Sequence, residues 1–148
     1  MYDKYEVYYE AYEQLALAEA LRLTNNLNRA YKIFSTVARI TELNGHQLEQ
    51  AHALLGIAES KRLMDDTDEK SCAKALHIYR KVGSKWGEVH ALIALALIAR
   101  GRGKNATTFL KEALAIAQEA SLISDVRFVE SLASKKPAPG NQHILIFI

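Results

Sequence analysis

Gly45-His-Gln-Leu-Glu-Gln-Ala-His-Ala-Leu-Leu-Gly-Ile-Ala58 lies over Gly83-Ser-Lys-Trp-Gly-Glu-Val-His-Ala-Leu-Ile-Ala-Leu-Ala96 without a gap, at an offset of 38 residues. Glycine meets glycine at 45 and 83, histidine meets histidine at 52 and 90, and the two apolar runs that follow coincide. The same step continues in both directions. Leu17, Leu55 and Ile93 share a column, as do Ala18, Gly56 and Ala94, and Ala20, Ala58 and Ala96. Further on the columns are Phe34, Cys72 and Leu110, then Val37, Ala75 and Ala113, then Ile40, Ile78 and Ile116. Self-similarity at a fixed period of this length marks an array of like units.

Each copy holds two stretches with apolar residues at helical spacing, separated by a polar turn, so each unit is expected to be a helical hairpin. The spacing predicts helices over 5–23 and 28–43, 47–63 and 67–82, and 86–100 and 104–120, with a seventh over 123–134. The connecting turns Thr24-Asn-Asn26, Asp65-Asp-Thr67 and Gly101-Arg-Gly103 are rich in residues that tolerate left-handed backbone or cap a helix start. The small column Ala18, Gly56, Ala94 should let the two helices of a hairpin approach closely. One hairpin cannot bury both apolar faces, so stability must come from stacking, with the seventh helix as the cap.

Composition bounds the rest. The chain has 148 residues, 49% of them hydrophobic, with 2 Pro and 7 Gly and no low-complexity block. That fits one domain over 1–134, followed by a Pro/Gly-broken apolar tail over 135–148. Lys+Arg 19 against Asp+Glu 17 gives a formal charge of +2, too balanced for the electrostatic footprint of a nucleic-acid binder. A single cysteine, Cys72, excludes an internal disulfide framework, and Met1-Tyr-Asp-Lys4 lacks the layout of a secretory signal, so a cytoplasmic location is expected. The longest apolar run, Ala91–Ala99, is closed by Arg100 and is too short to span a bilayer; it reads as a buried helix, with no membrane partner.

The Leu-small pairs Leu17-Ala18, Leu55-Gly56 and Ile93-Ala94, with the ladders Ala30, Phe34, Val37 and Ala106, Leu110, Ala113, resemble the tetratricopeptide (TPR) family over about residues 10–134. The middle copy departs from it, carrying Asp68 where alanine is expected, which implies a shifted turn or a helix that starts late. The 38-residue period and the phrase Ala75–Leu92 are similar to the longer TPR variants common in the sensor arms of bacterial signalling ATPases and regulators. What the resemblance implies is an all-α, right-handed α-solenoid of three helical hairpins, a C-terminal capping helix and an extended apolar tail. It implies a protein- or peptide-binding adaptor or regulatory module. The alternatives are a sensor or oligomerisation fragment of a larger signalling NTPase and a helical RNA-associated subunit.

No catalytic, metal or cofactor constellation is legible, so neither an enzyme nor a cofactor is expected. His52 and His90 lack the company of an HExxH or Cys/His cluster and read as buried repeat-column residues. Gly101-Arg-Gly-Lys-Asn105 has Ile98 and Asn105 where a phosphate loop needs Gly and Ser or Thr, so it reads as a turn. Cys72 shares a core column. Counting from the Leu-small columns, the expected inner, ligand-binding wall comprises Tyr12, Leu15, Glu19 and Arg22, then Gln50, Ala53, Ile57, Ser60 and Lys61, then Glu88, Ala91, Leu95 and Ile98. This wall is basic at Arg22 and Lys61 and apolar toward the third copy, suiting an amphipathic helix or extended peptide; the bland alternative is a set of solvated faces.

The two ends add candidate contacts. Tyr2, Tyr5, Tyr8, Tyr9 and Tyr12 put five of the seven tyrosines on the first helix, either to pack on the next hairpin or to form an interface, including a homo-oligomeric one. The tail ends in Ile144, Leu145, Ile146, Phe147 and Ile148, which in water would promote aggregation, so it is expected to dock on its own chain, on a sister molecule or on a partner.

Overall fold

The structure, a computed structural model, describes residues 4–134. The tail residues Ile144, Leu145, Ile146, Phe147 and Ile148, and Tyr2, lie outside the described residues. Among the described residues there are seven α-helices and no strand: α1 Lys4–Leu23, α2 Leu27–Asn44, α3 Gln47–Leu63, α4 Glu69–Val82, α5 Lys85–Gly101, α6 Thr107–Glu119 and α7 Ile123–Ser134. The described fold is therefore all-α. Each helix packs on the next, and the odd-numbered helices form a row of their own, with α1 against α3 and α3 against α5.

The turns explain the residues that recur. Gly45 and Gly83, one step apart, end α2 and α4 with φ of 73° and 78°, a left-handed conformation that a Cβ disfavours. The chain then reverses through the same bond at both places, His46 N–H to Thr41 C=O and Ser84 N–H to Tyr79 C=O, each 2.9 Å. The oddity at position 68 resolves as a late helix start. Asp68 is the N-cap of α4 and accepts from Ser71 N–H at 2.9 Å, as short acidic side chains do at that position. α4 and α6 begin in the same column, at Glu69 and Thr107, while α2 begins earlier in its copy, at Leu27.

Burial follows position in the stack. On α1 the buried side chains Val7, Ala11, Leu15, Ala18, Glu19 and Arg22 recur on one face, leaving the rest of 5–23 exposed or half-buried. On α3 every residue from Gln50 to Ser60 is buried, and on α5 every residue from Gly87 to Ala99. These two helices are surrounded, which is why α5 has to be almost wholly apolar. Phe34 of α2 fills the space over Gly56, its ring carbons 2.4–2.6 Å from where a Cβ would stand. The ring over this small residue thus comes from the preceding hairpin. Tyr79 of α4 covers Gly87 in the same way.

Candidate functional site

The expected inner wall is largely shut off from water. Glu19, Arg22, Gln50, Ile57, Ser60, Glu88, Leu95 and Ile98 are all buried, as are Leu15, Ala53 and Ala91; Lys61 is half-buried and Tyr12 exposed. The charge expected to face a ligand is turned inward. Arg22 clamps Glu19 through two bonds, Nε to Oε2 at 3.0 Å and Nη2 to Oε1. A second pair of the same i,i+3 form joins Arg62 to Glu59, at 2.6 and 3.1 Å, with Glu59 fully buried. Lys61 reaches Asp68 at 3.6 Å and lies over the ring of Tyr31. Burial alone would raise the Asp68 pKa, but the Ser71 hydrogen bonds and the Lys61 charge outweigh it and hold the carboxyl below its usual value. Glu88 is paired with Lys85 at 3.2 Å and with Arg80 at 3.7 Å, and Arg80 goes on to Glu112 of α6. These charges brace helices.

The two repeat-column histidines are joined in one cluster that ties four helices together. His52 Nδ1 meets the Tyr79 hydroxyl at 2.7 Å, Trp86 stands edge-on to His52 and stacks on His90, and His90 Nε2 meets Asp125 of α7 at 2.8 Å. Burial, reinforced by the nearby His90, pushes the His52 pKa down to about 4. The unfolded chain then binds a proton on this residue near pH 6.5 and the folded chain does not, so its contribution to stability is lost as the pH falls from about 6.5 towards about 4. Thermal melts across that range should show a wild-type decline that His52→Gln flattens; parallel declines would place the titration elsewhere. Cys72 sits in the core, its Sγ donating to the Ala91 carbonyl at 3.3 Å, and burial keeps the thiol protonated far above its ordinary pKa.

The exposed apolar surface gathers on the first hairpin. Tyr5, Tyr8, Tyr9, Tyr12, Leu17 and Leu23 of α1 and Leu43 of α2 are exposed; from α3 onward the large hydrophobics in this state, among the described residues, are Leu48, Val82 and Ile123. Leu17 is 41% exposed, whereas Leu55 and Ile93 in its column are fully buried. Ala20 is exposed too, and its counterparts Ala58 and Ala96 are buried. Beside this strip runs a groove of about 350 Å³ between α1 and α2. Val7, Ala11 and Val37 form its buried floor, Ile33 and Ile40 its flanks, and Glu10 and Lys32 face each other's helices across it. Near the start of α1, Tyr5, Tyr8 and Tyr9 share a second hollow with His46, the Tyr8 ring lying 6.0 Å from the imidazole.

Compared with family models, with curated proteins and with solved structures, the chain matches none. The groove between α1 and α2 was not among the expected site residues, although the sequence held a signal for it. Ile33 and Ile40 recur at helical spacing on a helix whose other apolar positions, Ala30, Phe34 and Val37, already fill a core face, so they form a second stripe. Among the described residues no helix is long and apolar enough to cross a membrane.

Proposed function

We propose that this chain is a TPR-like protein-interaction module, an array of three hairpins stacked as a right-handed α-solenoid, that docks a partner helix on the outer face of its first hairpin. The observation that carries this reading is the Leu17 column: the same position is buried in the second and third copies, where a hairpin stands before it, and open in the first. A surface shaped by the repeat to receive helices, with an apolar floor and a polar rim, matches the anatomy of helix-in-groove recognition. Exposed apolar patches of this extent on folded proteins mark interaction sites. The inner-wall residues from Gln50 to Ile98 support a ligand site only if the odd-numbered helices part, because their side chains are enclosed by neighbouring helices.

Ile33→Glu tests the reading. The side chain is half-buried on the groove flank, so a carboxylate there should leave the helices intact by circular dichroism while weakening any docked apolar helix by about tenfold or more. Native pull-downs with the tagged full chain should recover a protein with the wild type and lose it with the variant. Equal recovery by both would move the docking site away from this groove.

A further inference from the structure

We propose that the partner of the first hairpin's outer face is a second copy of this chain, related by a two-fold axis that runs along the helices. The proposal rests on the interaction reading above and adds the identity of the partner. Apart from the buried Glu19–Arg22 pair of α1 and Glu42 near the end of α2, which pairs with Lys74, the charges of the hairpin over 5–44 are sorted by helix. Glu6, Glu10 and Glu13 are exposed on α1, and Arg29, Lys32 and Arg39 are exposed on α2. Each set recurs at helical spacing, and Glu10 and Lys32 themselves line the groove. The groove thus has one carboxylate, Glu10, on its α1 side and one cation, Lys32, on its α2 side, over an apolar floor of Val7, Ala11 and Val37, and the exposed charges beyond its edges continue each sign along its own helix.

Two symmetric ways of laying such a face on its copy differ in sign. A two-fold axis across the helices sets α1 on α1, carboxylate row on carboxylate row, and α2 on α2, cation on cation; like-charge juxtaposition of this kind suppresses association. An axis parallel to the helices sets α1 of one copy on α2 of the other, and does so twice, so that both lines match acid with base. The short α1–α2 connection makes these helices antiparallel, and in the parallel-axis arrangement every neighbouring pair across the contact is antiparallel as well, the packing of an up-and-down four-helix layer. At a rise of 1.5 Å per residue the 20-residue α1 and 18-residue α2 are roughly 30 Å long. With helices spaced about 10 Å apart the face measures roughly 30 by 20 Å, the scale of a standard interface of about 800 Å² per partner. Leu17 and Ala20, open in the first copy alone, border the same face and become covered.

Sedimentation velocity of the full chain decides it, with charge reversals at two exposed positions that leave the core untouched. The wild type should run as a dimer of 16.5 kDa chains. Glu10→Lys and Arg39→Glu should each weaken self-association by about tenfold or more, and the double variant should recover it, because an axis parallel to antiparallel helices leaves Glu10 of one copy level with Arg39 of the other, so that each reversed charge again meets its opposite. A dimer indifferent to the single reversals, or one lost on ending the chain at Ser134, overturns this arrangement in favour of the tyrosines or the tail. A monomeric wild type whose captured partner is still lost with Ile33→Glu overturns self-association and leaves the interaction reading standing. A monomeric wild type that captures nothing overturns both.

Discussion

Arg62→Met is expected to lower the stability of the fold by about 3–5 kcal/mol, the cost of leaving a buried charge without its partner. Glu59 is fully enclosed and accepts two bonds from the Arg62 guanidinium, which is itself only 7% exposed. Methionine matches the length of the arginine stem and fills most of its volume, so the loss is electrostatic rather than a cavity. The carboxylate would then stand enclosed without its partner or draw water in among the helices. Urea titration measures it directly, and the midpoint should fall with little change in slope. Glu59→Leu combined with Arg62→Met should recover much of the loss, since a well-packed apolar pair often replaces a buried ion pair at little cost. A single variant within about 1 kcal/mol of the wild type would mean that Glu59 is reached by water in solution.

Phe34→Ala should cost a similar amount, about 3–5 kcal/mol, for a different reason. The ring is 1% exposed and occupies the space over Gly56, so its removal opens a cavity between α2 and α3 that the backbone of neither helix can collapse to fill. The partner test is Gly56→Ala, which places a methyl group 2.4 Å from two ring carbons. Overpacking of that kind costs about 1–3 kcal/mol, offset by the roughly 1 kcal/mol that alanine gains over glycine inside a helix. The two substitutions should not add. With the ring gone the alanine methyl enters vacated space, and the double variant should be more stable than the sum of the singles predicts. Additivity within about 0.5 kcal/mol would separate the two residues by more than the contact described.

The seven helices were legible in the sequence to within three residues at each end, because helix existence depends on local periodicity and turn chemistry that a single strand of text carries. The turns at 24–26, 65–67 and 101–103 carry residues that tolerate left-handed backbone, and Asn25, Asp65 and Gly103 adopt it, while the crowded apolar run of α5 marks a surrounded helix. Asp68 was legible as an anomaly; that it caps a late-starting α4 became visible only with Ser71 in place behind it. In the sequence Glu19 and Arg22 look like ligand-facing charges of an inner wall, and nothing there sets Glu59 and Arg62 apart from solvated charges. Helical spacing allows an i,i+3 pair but cannot say whether a third helix lies over it, and burial of charge is a property of that third helix.

What the sequence by itself determined is the alphabet of this fold: helices, their lengths, the 38-residue step at which like residues recur and the small column Ala18, Gly56, Ala94. Those follow from backbone propensity and from side-chain size at fixed intervals, which are local quantities. Only the tertiary structure decided which face of each copy meets water. Leu17, Leu55 and Ile93 are interchangeable in the text, yet one is open and two are buried, because exposure depends on whether a neighbour stands beside a residue, and like residues 38 positions apart need not have like neighbours.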